Sequence, residues 1–512
     1  MTINISKYFD KVSEQVWLDA ALKSLKLDDL EKFEKRLNFK TCEGVTLNSS
    51  YHPQLCSIRQ PTETLVSLTT FPTSHKLVRF TDLKGTEDQN EGVDLFIGSQ
   101  ELKTNYIDIF SLFMDNNKDG NALKAFLDKQ DNQDRKIYID TTKIHNAGAS
   151  IIQELSFILS VVKYSQEFLK LNQEMIIAVS VDSLYFNNIA KLRALRFLLE
   201  SLSEKCDIPK FKILSRSSLR EQTVYDPWMN MLRNTTSASA SFQGGADLIA
   251  IDSYDCIASS YGDNTESDLG SRQSRNAYHV LKQESSLGTV SDPSQGSYAI
   301  EKLTAQYIEL SFDRFKHIEN EGGIFANLNK LALEVELIAK ERSARVANLN
   351  STLAGINNYP NTQETITKLF PKNLSLCQTK DLFPLRRAAC EFEKLRQSLE
   401  SHDFKITILV YGPKDKLSNR VMFCSNYFEV LGHKCEVIYK NNSEVIELKK
   451  VDGLVLCSLD DLYPELLKKL EIDEIDNVFI AGNNFKNAKC QNIFKGQNVL
   501  EVLNTYFAKE TN

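Results

Sequence analysis

The 512-residue sequence contains no apolar run long enough to cross a bilayer, which takes about 20 residues. Its opening, Met1-Thr2-Ile3-Asn4-Ile5-Ser6-Lys7-Tyr8, lacks the apolar core of a secretory leader. A cytoplasmic chain without membrane contact is the expectation. There is also no long basic block. The 61 Lys and Arg are interspersed with 68 Asp and Glu and leave a net charge of −7, which argues against a nucleic-acid partner, because phosphate backbones call for concentrated positive charge. The ten cysteines include no Cys-x-x-Cys pair. They read as small hydrophobes in a reducing compartment, with neither a disulfide framework nor a zinc site.

What is present is a soluble composition, 42% hydrophobic and 25% charged, in a chain too long for one ordinary core. Residues 1–45 form an arm in which Val12, Val16, Leu18, Ala21, Leu22 and Leu25 recur at helical intervals. From residue 46 to 350, apolar runs at Leu65–Phe71, Val93–Ile97, Lys136–Ile139, Met175–Val181, Phe211–Leu214 and Leu248–Ile251 read as buried strands. Helical patterns at Ile151–Lys163, Ala190–Leu202, Met229–Phe242 and Ser271–Leu281 lie between or after them. That alternation predicts an α/β fold with a parallel sheet, of a length that suits a (β/α)8 TIM-type barrel. Ser297 is placed to cap a helix from Tyr298 to Glu321, and Gly322-Gly323 to end it. Residues 351–404, broken by Pro360, Pro371 and Pro384, read as a linker closing with a helix from about Phe383 to Glu400.

Residues 405–512 repeat shorter units. Strands are expected at Ile406–Val410, Cys435–Ile438, Leu454–Leu456 and Val478–Ala481. Helices are expected at Ser418–Leu431, Ser443–Lys449, Leu462–Leu470 and Asn498–Phe507. This is the pattern of a flavodoxin-like, doubly wound α/β domain, which binds ligands at the carboxyl ends of its strands.

A series of blocks connects these features. They are Asp226-Pro227-Trp228, Gln243-Gly244-Gly245-Ala246-Asp247, Arg272-Gln273-Ser274-Arg275-Asn276, Asp292-Pro293-Ser294-Gln295-Gly296-Ser297-Tyr298 and Ile318-Glu319-Asn320-Glu321-Gly322-Gly323. Ile189-Ala190-Lys191-Leu192-Arg193-Ala194 precedes them. In this order and spacing the series resembles the adenosylcobalamin-dependent methylmalonyl-CoA mutases. The resemblance covers roughly residues 60–510 and points to the small subunit of the heterodimeric bacterial enzymes. In that family cobalt–carbon homolysis starts a radical migration of the carbonyl-CoA group between adjacent carbons.

The resemblance also implies which positions should carry chemistry, and there the sequence departs. A Tyr-His pair of the family aligns with Thr142 and Lys143, leaving His145 two positions late. A His-Cys-Gln aligns with Leu214-Ser215-Arg216, where Arg216 reads as a surface salt bridge. The Asp-x-His-x-x-Gly of the cobalamin loop aligns with Asp415, Leu417 and Arg420, so an imidazole that would ligate cobalt is a leucine, and the glycine is an arginine. The loop following the family's Ser-x-Leu appears as Cys457-Ser458-Leu459-Asp460-Asp461, and its Gly-Gly as Ala481-Gly482. No catalytic, cofactor-binding or metal-binding residue is therefore expected on this chain, and acyl-CoA binding by it is doubtful. Adenosylcobalamin is expected on the large catalytic subunit, which this chain would stabilise in a heterodimer. The alternative from another class is an active acyl-CoA mutase barrel that uses cobalamin held by another chain.

Overall fold

The computed structural model describes residues 12–42, 44–51, 76–80, 92–95, 106–108, 136–166, 174–259, 268–364, 381–400, 402, 404–440, 451–470, 475, 477–485 and 487–507. The expected strand Leu65–Phe71 and the expected helix Ser443–Lys449 lie outside these residues.

The amphipathic stretch of the arm forms α1 (Glu14–Leu25), and α2 (Leu30–Leu37) and a hairpin of β1 (Phe39–Lys40) and β2 (Thr46–Leu47) follow it. Side-chain oxygens of Ser13 and Asp29 cap the two helices, and Lys26 in a left-handed conformation stops the first.

The strands β3 (Lys76–Phe80), β4 (Gly92–Leu95), β5 (Tyr106–Asp108) and β6 (Lys136–Asp140) come next, then the short helix α3 (Thr142–Asn146) and α4 (Ile151–Ser165). Ser150 and Gln153 close a reciprocal capping box at the head of α4. The chain continues through β7 (Glu174–Val181), α5 (Tyr185–Ser203), β8 (Lys210–Ser217), α6 (Trp228–Gln243), β9 (Leu248–Ala250), α7 (Cys256–Ser259), α8 (Asp268–His279), α9 (Tyr298–Asn320) and α10 (Ile324–Ala347). Seven strands form one sheet in the order β4-β3-β9-β8-β7-β6-β5. Every pairing is parallel, and the first strand of the sheet, β3, pairs with its last, β9.

Side chains alternate across these strands. Ile137, Ile139, Ile177, Val179, Val181 and Ile213 pack outward against α4, α5, α9 and α10. Tyr138, Ile176, Ala178, Leu214, Leu248 and Ala250 form a separate buried cluster on the inner face. Ser297 is at the cap position of α9, but its side chain makes no capping bond. Instead Glu301 Oε1 accepts from the Gly296 N–H at 3.0 Å. Gly322 and Gly323, with φ of 99° and 84°, end α9 as expected. The 24-residue α10 has no counterpart in the sequence reading.

Within the linker, helix α11 spans only Cys390–Leu399. The preceding turn is drawn onto the seven-stranded unit: Ala388 N–H donates to the Arg220 carbonyl at 2.8 Å, and Glu393 accepts from Val224 N–H at 2.7 Å and from Arg387 at 2.6 Å. Among the described residues Cys390 is disulfide-bonded, which departs from the expectation of no disulfides.

The C-terminal unit runs β10 (Ile406–Tyr411), α12 (Lys414–Glu429), β11 (Glu436–Lys440), β12 (Gly453–Ser458), α13 (Tyr463–Lys469), β13 (Val478–Ala481), β14 (Gln491–Ile493) and α14 (Val499–Phe507). Its five strands lie in the order β11-β10-β12-β13-β14, all parallel. Ile408, Val410, Val455, Cys457 and Phe479 pack on one face with α11, α12 and α14, while Leu409, Leu454, Leu456 and Ile480 pack on the other with α13. Burial on both faces explains why β10 and β12 are apolar almost throughout. Among the described residues, no helix is long and apolar enough to cross a membrane.

Candidate functional site

The carboxyl edge of the seven-stranded sheet is where the sequence placed chemistry. Thr142 and Lys143 open α3 directly after β6. The Thr142 side chain is buried and donates to the Asp140 carboxylate, whereas Lys143 is exposed. Leu214 is fully buried in the inner apolar cluster. Arg216 is not on the outer surface, as expected, but on the inner face. Its Nε and Nη2 donate to both Asp252 oxygens at 3.0–3.1 Å. Burial works against its charge, but Asp252 outweighs burial and raises the guanidinium above its ordinary value. Thr142, Leu214 and Arg216 thus share one side of the sheet with Asp140 and Asp252.

His145 is on the fourth position of α3 and points away from that side, between sheet and helices. Its Nε2 lies 2.9 Å from Ser218 Oγ and 3.9 Å from Asp182, and its Nδ1 lies 3.4 Å from Glu154 Oε2. Glu154 of α4 accepts from Lys191 of α5 at 2.9 Å, both side chains fully buried. Lys191 also donates to the Ser180 carbonyl. Asp182, at the end of β7, receives Asn188 at 2.6 Å and Arg220 at 3.3 Å. Burial lowers His145 and outweighs the nearby carboxylates. For Glu154 burial pushes upward, but the Lys191 charge and the His145 ring more than offset it and hold the carboxyl below its ordinary range. The His145–Glu154–Lys191 cluster secures two helices to a strand end. The sequence reading missed this cluster because His145 lies 9 residues from Glu154 and 73 from Ser218 in the chain.

The carboxyl edge of the five-stranded sheet holds the other candidates. Asp415, Leu417 and Arg420 do not sit in a loop, as expected, but in the first turns of α12, because the connection from β10 is only Gly412-Pro413. Leu417, Val421, Cys424 and Phe428 are buried at helical spacing and form the stripe that packs on the sheet. Asp415 is exposed on another face. Arg420 reaches across the ends of β10 and β12, donating to the Ser458 carbonyl and, at 3.0 Å, to Asp460 Oδ1. Asn484 donates to Asp460 Oδ2 at 2.7 Å. Asn484, and after it Arg420, hold the Asp460 carboxyl below its ordinary range. Cys457 and Ala481 are core residues, and Gly482 (φ 123°) lies beside Arg420 and Asp460. The structure thus brings Arg420, Asp460, Gly482 and Asn484 together and keeps Asp415 and Leu417 apart from them.

Three of the motif blocks contribute to braces. Arg193 of α5 joins Asp292 at 3.0 Å, Glu301 at 2.8 Å and Thr304 at 3.1 Å, fastening the Asp-Pro turn and α9 to α5. Arg196 joins Asp247 at 2.7 Å and the Gly245 carbonyl. A family model described as "Methylmalonyl-CoA mutase" matches residues 42–402, which contain every one of these braces. The chain belongs to the methylmalonyl-CoA mutase family.

Relatives within this family differ in length from the chain. It is 29% identical to the "Probable methylmalonyl-CoA mutase small subunit" of Mycobacterium bovis over 57% of this chain and 49% of that protein. It is 28% identical to the "Methylmalonyl-CoA mutase small subunit" of Porphyromonas gingivalis over 65% and 57%. For that of Propionibacterium freudenreichii subsp. shermanii the identity is 26%, over 68% and 57%. The chain spans about half the length of the curated relatives it matches.

Proposed function

We propose that this chain is the non-catalytic small subunit of a cytoplasmic methylmalonyl-CoA mutase, the enzyme that interconverts methylmalonyl-CoA and succinyl-CoA. In this reading the seven-stranded sheet belongs to a (β/α)8 barrel, for which the β3–β9 pairing of first strand with last is the supporting feature. Residues 405–512 form a flavodoxin-like domain, supported by the strand order with β10 second and β11 at the edge. The chain packs against a large catalytic subunit, which holds the adenosylcobalamin.

One observation carries the reading. The position that would ligate cobalt is Leu417, which has no lone pair and is 1% exposed within the helix stripe facing the sheet. The slot beside it is crossed by the Arg420–Asp460 ion pair. These residues do not fit cobalamin, and no step through the cofactor is assigned to this chain. At the other sheet, Arg216 is already matched by Asp252, and Tyr138, Ile176 and Leu214 fill the inner face below it.

The test is co-purification with the large subunit from the same organism, with activity and cobalamin content measured for each chain alone and together. A one-to-one complex whose activity and cobalamin both trace to the large chain is expected. Turnover of methylmalonyl-CoA by this chain alone with added cofactor overturns the proposal. Turnover by this chain with a separate cobalamin-binding chain supports the borrowed-cofactor alternative instead.

A further inference from the structure

A cavity of about 390 Å³ lies outside the carboxyl ends of β6, β7 and β8. It is distinct from the inner face of the sheet and from the crevice beside Arg420. His145, Asp182 and Arg220 form its floor, α10 contributes Arg342 and Arg345, and the linker contributes Arg386. The β1–β2 hairpin closes it through Phe39, Thr41 and Cys42. Open α/β sheets bind ligands at this edge, and the volume is at the small-metabolite end of the range for ligand pockets.

The charge lining the cavity is unbalanced. Among the described residues, four guanidinium groups and two carboxylates, Asp182 and Glu221, line it. Glu221 is raised above its ordinary value by burial and by Asp182. Arg345 is held by Glu341 at 2.6 Å and by the Lys40 carbonyl, and Arg386 is 3.9 Å from Glu336. Arg220 is different. It is 8% exposed, its single carboxylate contact is a 3.3 Å bond from Nη2 to Asp182, and its Nε is buried with no partner. A buried donor without an acceptor is costly and uncommon in folded proteins. After burial, the like charge of Arg342 is the main influence lowering Arg220. Two guanidinium groups lining one cavity, one of them with an unmet buried donor, make a receptor for an oxyanion.

We propose that this cavity binds a small molecule through a doubly charged oxyanion group, phosphate or carboxylate, held between Arg220 and Arg342. The site is independent of cobalamin and of turnover, so it stands whether or not the chain is the non-catalytic subunit.

Titration calorimetry of the full chain with inorganic phosphate and with malonate, at constant ionic strength in chloride, tests this. Saturable binding of one equivalent is expected for at least one of the two. Binding of phosphate assigns a phosphorylated ligand and binding of malonate alone a dicarboxylate, and either supports the site. Arg342→Gln, on the half-exposed side of α10, should weaken the binding about tenfold or more. Arg220→Gln should do the same, but it also strips Asp182 of a partner, so the α10 variant decides. No saturable binding with either anion, or an unchanged affinity in Arg342→Gln, overturns the proposal.

Discussion

Replacing Leu417 with His, together with Arg420→Gly, re-creates the residues that the family carries at these positions. If geometry followed sequence alone, cobalamin binding would return. The structure predicts loss of stability instead. Leu417 is 1% exposed and packs with Val421, Cys424 and Phe428 against β10 and β12. Withdrawing that side chain from the core forfeits about 1.5–3 kcal/mol. An imidazole buried there without a partner adds about 1–3 kcal/mol. The Arg420–Asp460 pair is about one-third exposed on each side, so its loss contributes no more than about 1 kcal/mol. Glycine within α12 adds about 1 kcal/mol. Most of the effect therefore comes from residue 417, and a total of about 4–8 kcal/mol should lower the unfolding midpoint of the C-terminal unit by roughly 20 °C or more. Thermal unfolding followed by circular dichroism measures the shift, and visible absorbance after incubation with adenosylcobalamin and gel filtration measures uptake. A double variant that unfolds with the parent and retains one equivalent of cobalamin would refute the placement of Leu417.

Three further outcomes concern the seven-stranded unit. Lys191→Met leaves the fully buried Glu154 without its cation and should cost about 3–5 kcal/mol, most of which Lys191→Met with Glu154→Leu should recover; urea unfolding of both variants checks it. Stability should fall on acidification, because His145 is lowered from 6.5 and Glu154 from 4.5. Below pH 6.5 the unfolded chain binds a proton that the folded chain refuses, so the His145 contribution is present above that pH and lost as pH falls. The Glu154 contribution is lost in turn below pH 4.5. Midpoints measured from about pH 7.5 to about pH 5 should therefore decline in the parent and stay level in His145→Gln; equal slopes would contradict the burial of a neutral ring. Gly148 has φ 109°, and a Cβ there would lie 2.5 Å from the Ala339 Cβ of α10. Gly148→Ala should cost about 1–3 kcal/mol as α10 is pushed outward, and a midpoint equal to the parent's would show that α10 is not held that closely.

The parts of the fold that were legible are those in which burial leaves a continuous mark. Met175–Val181 and Ile406–Val410 are buried on both faces, so their apolar runs are visible without any partner information. The hairpin, β5 and β14 have two or three residues each, too few for a period to show. Helix α10 carries Ile324, Leu328, Leu331, Val335 and Ala339 at helical spacing, and the pattern was readable. The paired glycines mark the end of α9 so strongly that the immediate restart is easily passed over. In the C-terminal unit, helix α12 begins at Lys414 because Pro413 supplies a ready φ of −67° at its cap. A reading guided by the longer loop of the family starts it at Ser418.

The candidate site was legible in position but not in direction. Thr142 and Gly482 follow the ends of parallel strands and Arg216 is next to last in β8, whereas Leu214 lies inside β8 and Arg420 reaches a strand edge from α12. Which way each side chain points depends on residues far along the chain, such as Asp252 for Arg216 and Asp460 for Arg420. The same dependence separates what resembles the family from what does not. Arg193 with Asp292 and Glu301, and Arg196 with Asp247, join helices to turns on the outer side of the sheet. Their removal would strand buried charge, at several kcal/mol each, whether or not any reaction occurs inside. Leu214 and Leu417 meet a different demand, since each stands at a histidine position of the family and sits in a buried apolar place that would leave an imidazole unsatisfied. These ion pairs are required by the packing of helices on the sheet, and Arg193, Asp247 and Asp292 belong to the blocks that carry the resemblance.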